Sequence, residues 1–112
     1  MSPVEGFEAK LDPLRAQIDA IDDQLVSLLG QRIKVVDEVV TIKAAHKLPA
    51  RLEGRIEEVV ARVRARAERV DAPADLAEVL WRTMIEWIIA YEDLRLEAGT
   101  RQPSQQDRAP RP

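Results

Sequence analysis

Aliphatic residues recur at alternating steps of three and four through the first half of the chain: Leu14, Ile18, Ile21, Leu25, Leu28, then Arg32, then Val35, Val39 and Ile42. That spacing marks one face of an α-helix. Asp12 can cap its first N–H groups, and Pro13 suits the first helical position. Gly30 weakens the helix without ending the pattern, and Pro49 stops it. The spacing therefore predicts a helix from Asp12 to about His46. A helix of about 34 residues is roughly 50 Å long at ~1.5 Å per residue. A compact domain of this size has a radius of gyration near ~13 Å. The helix overshoots any globule the chain could form alone, and the rest of the chain cannot cover its seam. A two-fold homodimer is the economical solution.

The remaining sequence predicts two more helices. Ile56, Val59, Val60, Val63, Ala67 and Val70 fall on one face of a helix over about 53–70. Asp71 or Asp75 can cap a third helix, over about 73–98. Its "LWRTMIEWIIAYEDL" is apolar nearly all round, so this helix is expected to be central. Gly99 is expected to end it. Aromatics make up only 4 % of the 112 residues, and the β-branched residues sit at helical spacing, so nothing predicts a sheet. The expected organisation is an all-α, three-helix domain over 12–98, with a loose leader over 1–11 and a disordered tail over 99–112.

Composition narrows the function. A net charge of −3 with interleaved signs argues against a nucleic-acid partner. No run approaches the ~18 apolar residues of a membrane span, and the N-terminus lacks the pattern of a signal peptide. The absence of cysteine excludes disulfides and thiolate metal sites and fits a reducing cytoplasm. No glycine-rich phosphate loop and no metal-ligand spacing occur, so neither a cofactor nor a metal is expected. The single histidine, His46, is expected at the surface near a helix end.

Four charged residues stand where the pattern calls for something else. Arg32 interrupts the aliphatic seam. It could snorkel, pair with an acid, or set register between two helices. Lys43 follows eleven positions later, three turns plus about 20° at ~100° per residue, and so lies on the same face. Two such cations, roughly 16 Å apart along the axis, could grip a small anion between them. Arg15 lies about 100° round the helix from Arg32 and could reach only the pocket of an antiparallel partner. Glu92 follows Ile85, Ile88 and Ile89 at helical spacing, so its carboxyl is expected among them. A buried carboxylate must be paired or protonated, and Arg32 is one candidate partner. The combination describes a cationic pocket with one acid, suited to a small dicarboxylate. Nothing resembles a nucleophile with its base.

The ordered set "LRAQIDAIDDQLVSLLGQR", "KAAHKLP", "GRIEEV" and "MIEWIIAYED" resembles the all-α (AroQ-class) chorismate mutases over about residues 10–98. The resemblance implies an intertwined homodimer of three-helix subunits. It implies that Arg15 crosses from the partner subunit to one substrate carboxylate, and that Arg32 holds the other. It places Lys43 and Glu92 on the ether oxygen of the breaking bond, Arg55 near the ring carboxylate, and Val39, Ile85 and Ile88 in the pocket wall. The reaction so implied, chorismate to prephenate, is a Claisen rearrangement that needs no protein proton transfer. The protein must hold the compact chair and stabilise charge growing on the ether oxygen.

Three positions depart from the typical pattern. Ile56 stands where the family usually carries an acid that accepts from the C4 hydroxyl of the substrate, Leu52 where an aspartate is usual, and Glu92 where glutamine is frequent. Glu92 can donate to the ether oxygen only as the protonated acid, so the expectation is a carboxyl that keeps its proton, or activity that rises at mildly acidic pH. Apolar residues after the Arg55 position also resemble the 4-amino-4-deoxychorismate mutases of antibiotic pathways and the isochorismate-pyruvate lyases of siderophore pathways. The pattern "K-x-x-H-x-L-P…G-R-I…E-D" is closest to the former. The competing reading is a non-catalytic helical dimer in which Arg32 only sets register.

Overall fold

A computed structural model describes residues 3–101, with side chains over 6–99. The described residues form three helices: α1 (Pro3–Ala45), α2 (Glu53–Arg69) and α3 (Ala74–Arg101). The all-α, three-helix expectation holds. The chain divides into two units, Met1–Val36 and Asp37–Pro112.

The first unit contains α1 as far as Val36. The helix begins at Pro3, ahead of the predicted start at Asp12, and Pro13 sits inside it. Residues 3–11, expected to be a loose leader, are therefore helical. Phe7 and Leu11 explain the difference, because they continue the seam upstream of Leu14 at the same alternating steps. Arg15 adds support from the next turns, pairing with Glu8 at 2.6 Å and lying 3.9 Å from Asp12. Pro13, inside the helix, leaves it without one backbone hydrogen bond. The seam residues Leu14, Ile18, Ile21, Leu25, Leu28 and Val35 are all about half exposed in the single chain.

The second unit holds the core. Ile56 and Val60 of α2 meet Ile85 and Ile89 of α3, with Ala50 of the connecting segment buried among them. Val59, Trp81 and Leu96 pack against this cluster. The apolar face of α2 is the one its spacing predicts. By contrast, α3 is not buried all round: Ile85, Ile88, Ile89 and Glu92 are buried, but Leu80, Trp87 and Leu94 on another face are mostly exposed. The apolar faces of α3 outnumber what α2 and the end of α1 can cover. Helix α3 also runs past Gly99 to Arg101, so Gly99 is not its C-cap. Only residues 99–101 of the expected tail are described, and they are helical; the remainder lies outside the described residues. Among the described residues no helix is long and apolar enough to cross a membrane.

Ion pairs tie α2 to α3 along the rim of the core. Arg82 reaches Glu57 at 3.0 Å and Glu78 at 2.6 Å. Arg64 reaches Asp75 at 2.9 Å and Glu78 at 2.8 Å. Arg51 grips both carboxyl oxygens of Glu86. Hydrogen bonds from Arg82 hold the Glu57 and Glu78 carboxyls below the usual carboxylate range, and the bond from Arg51 does the same for Glu86.

Both α1 and α2 end in Schellman motifs. At the end of α1, Leu48 N–H donates to Lys43 C=O at 2.8 Å and Lys47 N–H to Ala44 C=O at 3.3 Å. At the end of α2, Ala72 N–H donates to Ala67 C=O and Asp71 N–H to Glu68 C=O. The residue after the cap adopts the left-handed conformation that favours glycine, with φ 57° at Lys47 and 59° at Asp71. Pro49 follows the first motif and prevents the helix from resuming.

Two stability predictions follow from these features. Lys47→Gly should raise the thermal midpoint by a few degrees, since a lysine in this conformation costs about 1 kcal/mol. Asp71→Gly should gain less, because aspartate tolerates the conformation better; equal or negative shifts in calorimetry would contradict the account. The second prediction concerns acid. Carboxyls whose folded pKa is lowered stabilise the fold above their unfolded pKa, and that contribution is lost as pH falls through the folded value. The melting midpoint should therefore drop as pH falls below about 4.5, and more shallowly in Arg82→Gln.

Candidate functional site

The most buried charges in the described chain are Lys43 and Glu92. Lys43 lies in the last turn of α1, and Glu92 lies one turn after Ile88 on the buried face of α3. Their side chains are 11 % and 7 % exposed, and Lys43 Nζ donates to Glu92 Oε1 at 2.8 Å. The same ammonium donates to the Ala50 carbonyl at 2.7 Å. Burying an ammonium or a carboxylate is costly unless each is paired and hydrogen-bonded, and this arrangement meets that condition. The sequence singled out both residues and predicted a buried carboxyl at Glu92. Arg32 was the partner it suggested, whereas Lys43 is the partner found for Oε1. The Ala50 carbonyl had no sequence signal, because a main-chain acceptor leaves no trace in residue type.

Ile85 and Ile88 share the buried face of α3 with Glu92, and each is 8 % exposed. Val39 stands one turn before Lys43 on α1 and is 37 % exposed, while its neighbour Val40 is buried. Leu52 is the exposed, extended N-cap residue of α2. Ile56 is turned into the core against Val60, Ile85 and Ile89. Arg55 is exposed and held by Glu58 one turn on. Arg15 and Arg32 belong to the first unit. Arg15 is exposed and engaged with Glu8, and Arg32 is half-buried. His46 is exposed, as expected.

A second polar group forms between α1 and α3 within the same unit. Tyr91 donates its hydroxyl proton to Asp37 at 2.5 Å, and Arg95 lies 3.5 Å from the same carboxylate. Arg95 also stands over the Tyr91 ring, which stacks on Trp87. The hydrogen bond to the Asp37 carboxylate pushes the Tyr91 hydroxyl above its usual range, with burial adding to the effect. Asp37, Val40, Thr41, Ala44, Arg95 and Ala98 border a cleft of about 380 Å³. None of the residues predicted for the site lines it. No sequence signal pointed to this group, since Asp37 and Arg95 read as ordinary helix-surface charges.

Chemically, the Lys43–Glu92–Ala50 arrangement is a fixed cation in apolar surroundings. Lysine carries three N–H donors, and two have acceptors here. The third can meet an oxygen on which negative charge develops. No side chain beside it is a nucleophile.

Comparison with known proteins fits this geometry. Residues 14–93 match the family model described as chorismate mutase type II. The T-protein of Haemophilus influenzae is 36 % identical over 88 residues, which cover 79 % of this chain. The chain spans 23 % of that relative's length. The matched region includes all of α2, most of α1 and α3, and the Lys43 and Glu92 positions. The chain therefore belongs to the type II chorismate mutase family of isomerases.

Proposed function

We propose that the chain catalyses the [3,3] rearrangement of a chorismate-type dicarboxylate, converting chorismate to prephenate or 4-amino-4-deoxychorismate to 4-amino-4-deoxyprephenate. The buried Lys43 ammonium, braced by Glu92 and the Ala50 carbonyl, is the observation that carries this reading. Its remaining N–H serves the ether oxygen, where electron density accumulates as the C–O bond breaks. Arg32 takes one substrate carboxylate, Arg55 assists at the ring carboxylate, and Val39, Ile85 and Ile88 press the substrate into its compact form. Glu92 accepts from Lys43 and holds the ammonium beside that oxygen. No cofactor or metal enters the reaction.

The active form in this reading is a homodimer, with Arg15 crossing to the partner's site. The half-exposed seam of α1 supports it, because a helix of 43 residues spans roughly 65 Å at ~1.5 Å per residue and its apolar stripe runs most of that way.

Leu52 and Ile56 choose among substrates. Neither offers a carboxylate to the C4 substituent, and Ile56 is committed to the core. Together with the K-x-x-H-x-L-P pattern, this favours the 4-amino analogue over chorismate. An isochorismate-pyruvate lyase is the alternative chemistry at the same site.

Turnover with chorismate, isochorismate and 4-amino-4-deoxychorismate, measured side by side, tests the proposal. The expected products are prephenate or the amino-prephenate; salicylate with pyruvate would identify the lyase, and no turnover of any of the three would favour the non-catalytic dimer. Arg32→Leu separates site from scaffold. The expected result is a stable dimer by sedimentation with turnover reduced about 100-fold, since losing a group that orients the substrate costs on the order of 10² in rate. A more stable dimer with full turnover would leave Arg32 only a structural role. Glu92→Ala, which removes the carboxylate bracing Lys43, should lower kcat in a chain that circular dichroism shows to be folded. Wild-type kcat in a folded Glu92→Ala chain is the contrary result.

A further inference from the structure

Lys43 is tied to the segment that follows it at two points. Its main-chain carbonyl accepts from Leu48 N–H at 2.8 Å, closing the Schellman motif. Its side-chain ammonium donates to the Ala50 carbonyl at 2.7 Å. Between these points lie the left-handed Lys47 and then Pro49, which have few conformations open to them. Ala50 itself is 4 % exposed and belongs to the core cluster with Ile56, Val60, Ile85 and Ile89. Its Cβ is thus anchored in the core while its carbonyl faces Lys43. The chain from Lys43 to Ala50 forms a closed loop whose two ends meet at one ammonium.

A flexible lysine stem gains most from such bracing. It has four rotatable side-chain bonds, and ordering it costs about 1.5–2 kcal/mol. Glu92 alone would leave the ammonium free to swing about one contact. A second, main-chain acceptor fixes two of its three N–H directions and therefore the third. A main-chain carbonyl also adds no charge, so it orients the cation without cancelling its field.

We propose that Ala50 is a positioning residue, whose core-anchored carbonyl aims the remaining N–H of Lys43 at the reacting oxygen. The inference rests on the functional reading above.

The test replaces Arg51 by its α-hydroxy acid in the full-length chain, which turns the Ala50 carbonyl from an amide into a weaker ester acceptor. No main-chain hydrogen bond of the described linker uses the Arg51 N–H, so the acceptor is the main thing changed. The expected result is a kcat about tenfold lower, with KM within twofold, because the lost bond to a charged group matters most where the cation meets developing charge. The Lys43 ammonium resonance in ¹⁵N-resolved spectra, slowed in exchange by its two acceptors, should broaden or vanish in the ester chain. An unchanged kcat with a retained resonance would overturn the proposal. Lys43→Gln separates the two layers: full turnover in that variant would sink the functional reading, while the resonance in the ester chain would still report on positioning. Should the ester chain fold poorly, Ala50→Gly keeps the amide but releases the core anchor. It should lower kcat, and Ala50→Ser should restore it; wild-type kinetics in Ala50→Gly would count against the role of the anchor.

Discussion

A buried ammonium must find acceptors, and much of the second unit is arranged so that Lys43 does. Its position in the last turn of α1 requires α3 to bring a carboxylate to the same depth, and Glu92 does so from the isoleucine face. It also requires the chain after α1 to turn back at once, so that a carbonyl arrives from below. The left-handed turn at Lys47, the proline after it and the burial of Ala50 meet that requirement. Core and charge are therefore one construction: Ala50 and Ile89 pack the cluster from the segments that also hold the ammonium. Loosening the cluster would disturb the cation, and removing one charge would leave the other buried and unpaired, a costly state.

The second constraint is area. Three helices of this length display more apolar faces than one short chain can cover. The second unit covers one face of α2 and one of α3, and leaves Trp87, Leu94 and Leu80 mostly in water. The first unit leaves its stretch of the aliphatic stripe, from Leu14 to Val35, about half exposed. Ion pairs such as Arg82 with Glu57 and Glu78 sit at the rim and set how α2 meets α3, but exposed pairs of this kind add little stability. A body that bound the folded chain across the remaining faces would add to its stability.

The helices were legible in the sequence because their apolar residues follow the helical period. Their ends were less so. The Asp12–Pro13 pair is a good start signal, yet Phe7 and Leu11 extend the same stripe and carry α1 to Pro3. Gly99 is a good stop signal, yet α3 continues past it. Local signals compete with periodicity, and here periodicity prevailed. At the site, charge in an apolar register marked Lys43 and Glu92 correctly as unusual. Spacing within one helix could not show that they pair with each other, since that contact joins residues far apart in sequence. The Ala50 carbonyl and the Asp37–Tyr91–Arg95 group were not legible at all. The first involves no side chain, and the second is built from residue types that are unremarkable on a helix surface.

The two tryptophans sit six residues apart on α3 in contrasting surroundings. Trp81 packs against the core cluster, while Trp87 is 63 % exposed and stacked on Tyr91. An indole reports the polarity of its surroundings through its emission. Unfolding changes the surroundings of Trp81, whereas any body that covers the outer face of α3 changes those of Trp87 and leaves Trp81 as it was. The chain thus carries one indole at its core and one on an open face, and single-tryptophan variants would let changes at the two places be followed separately.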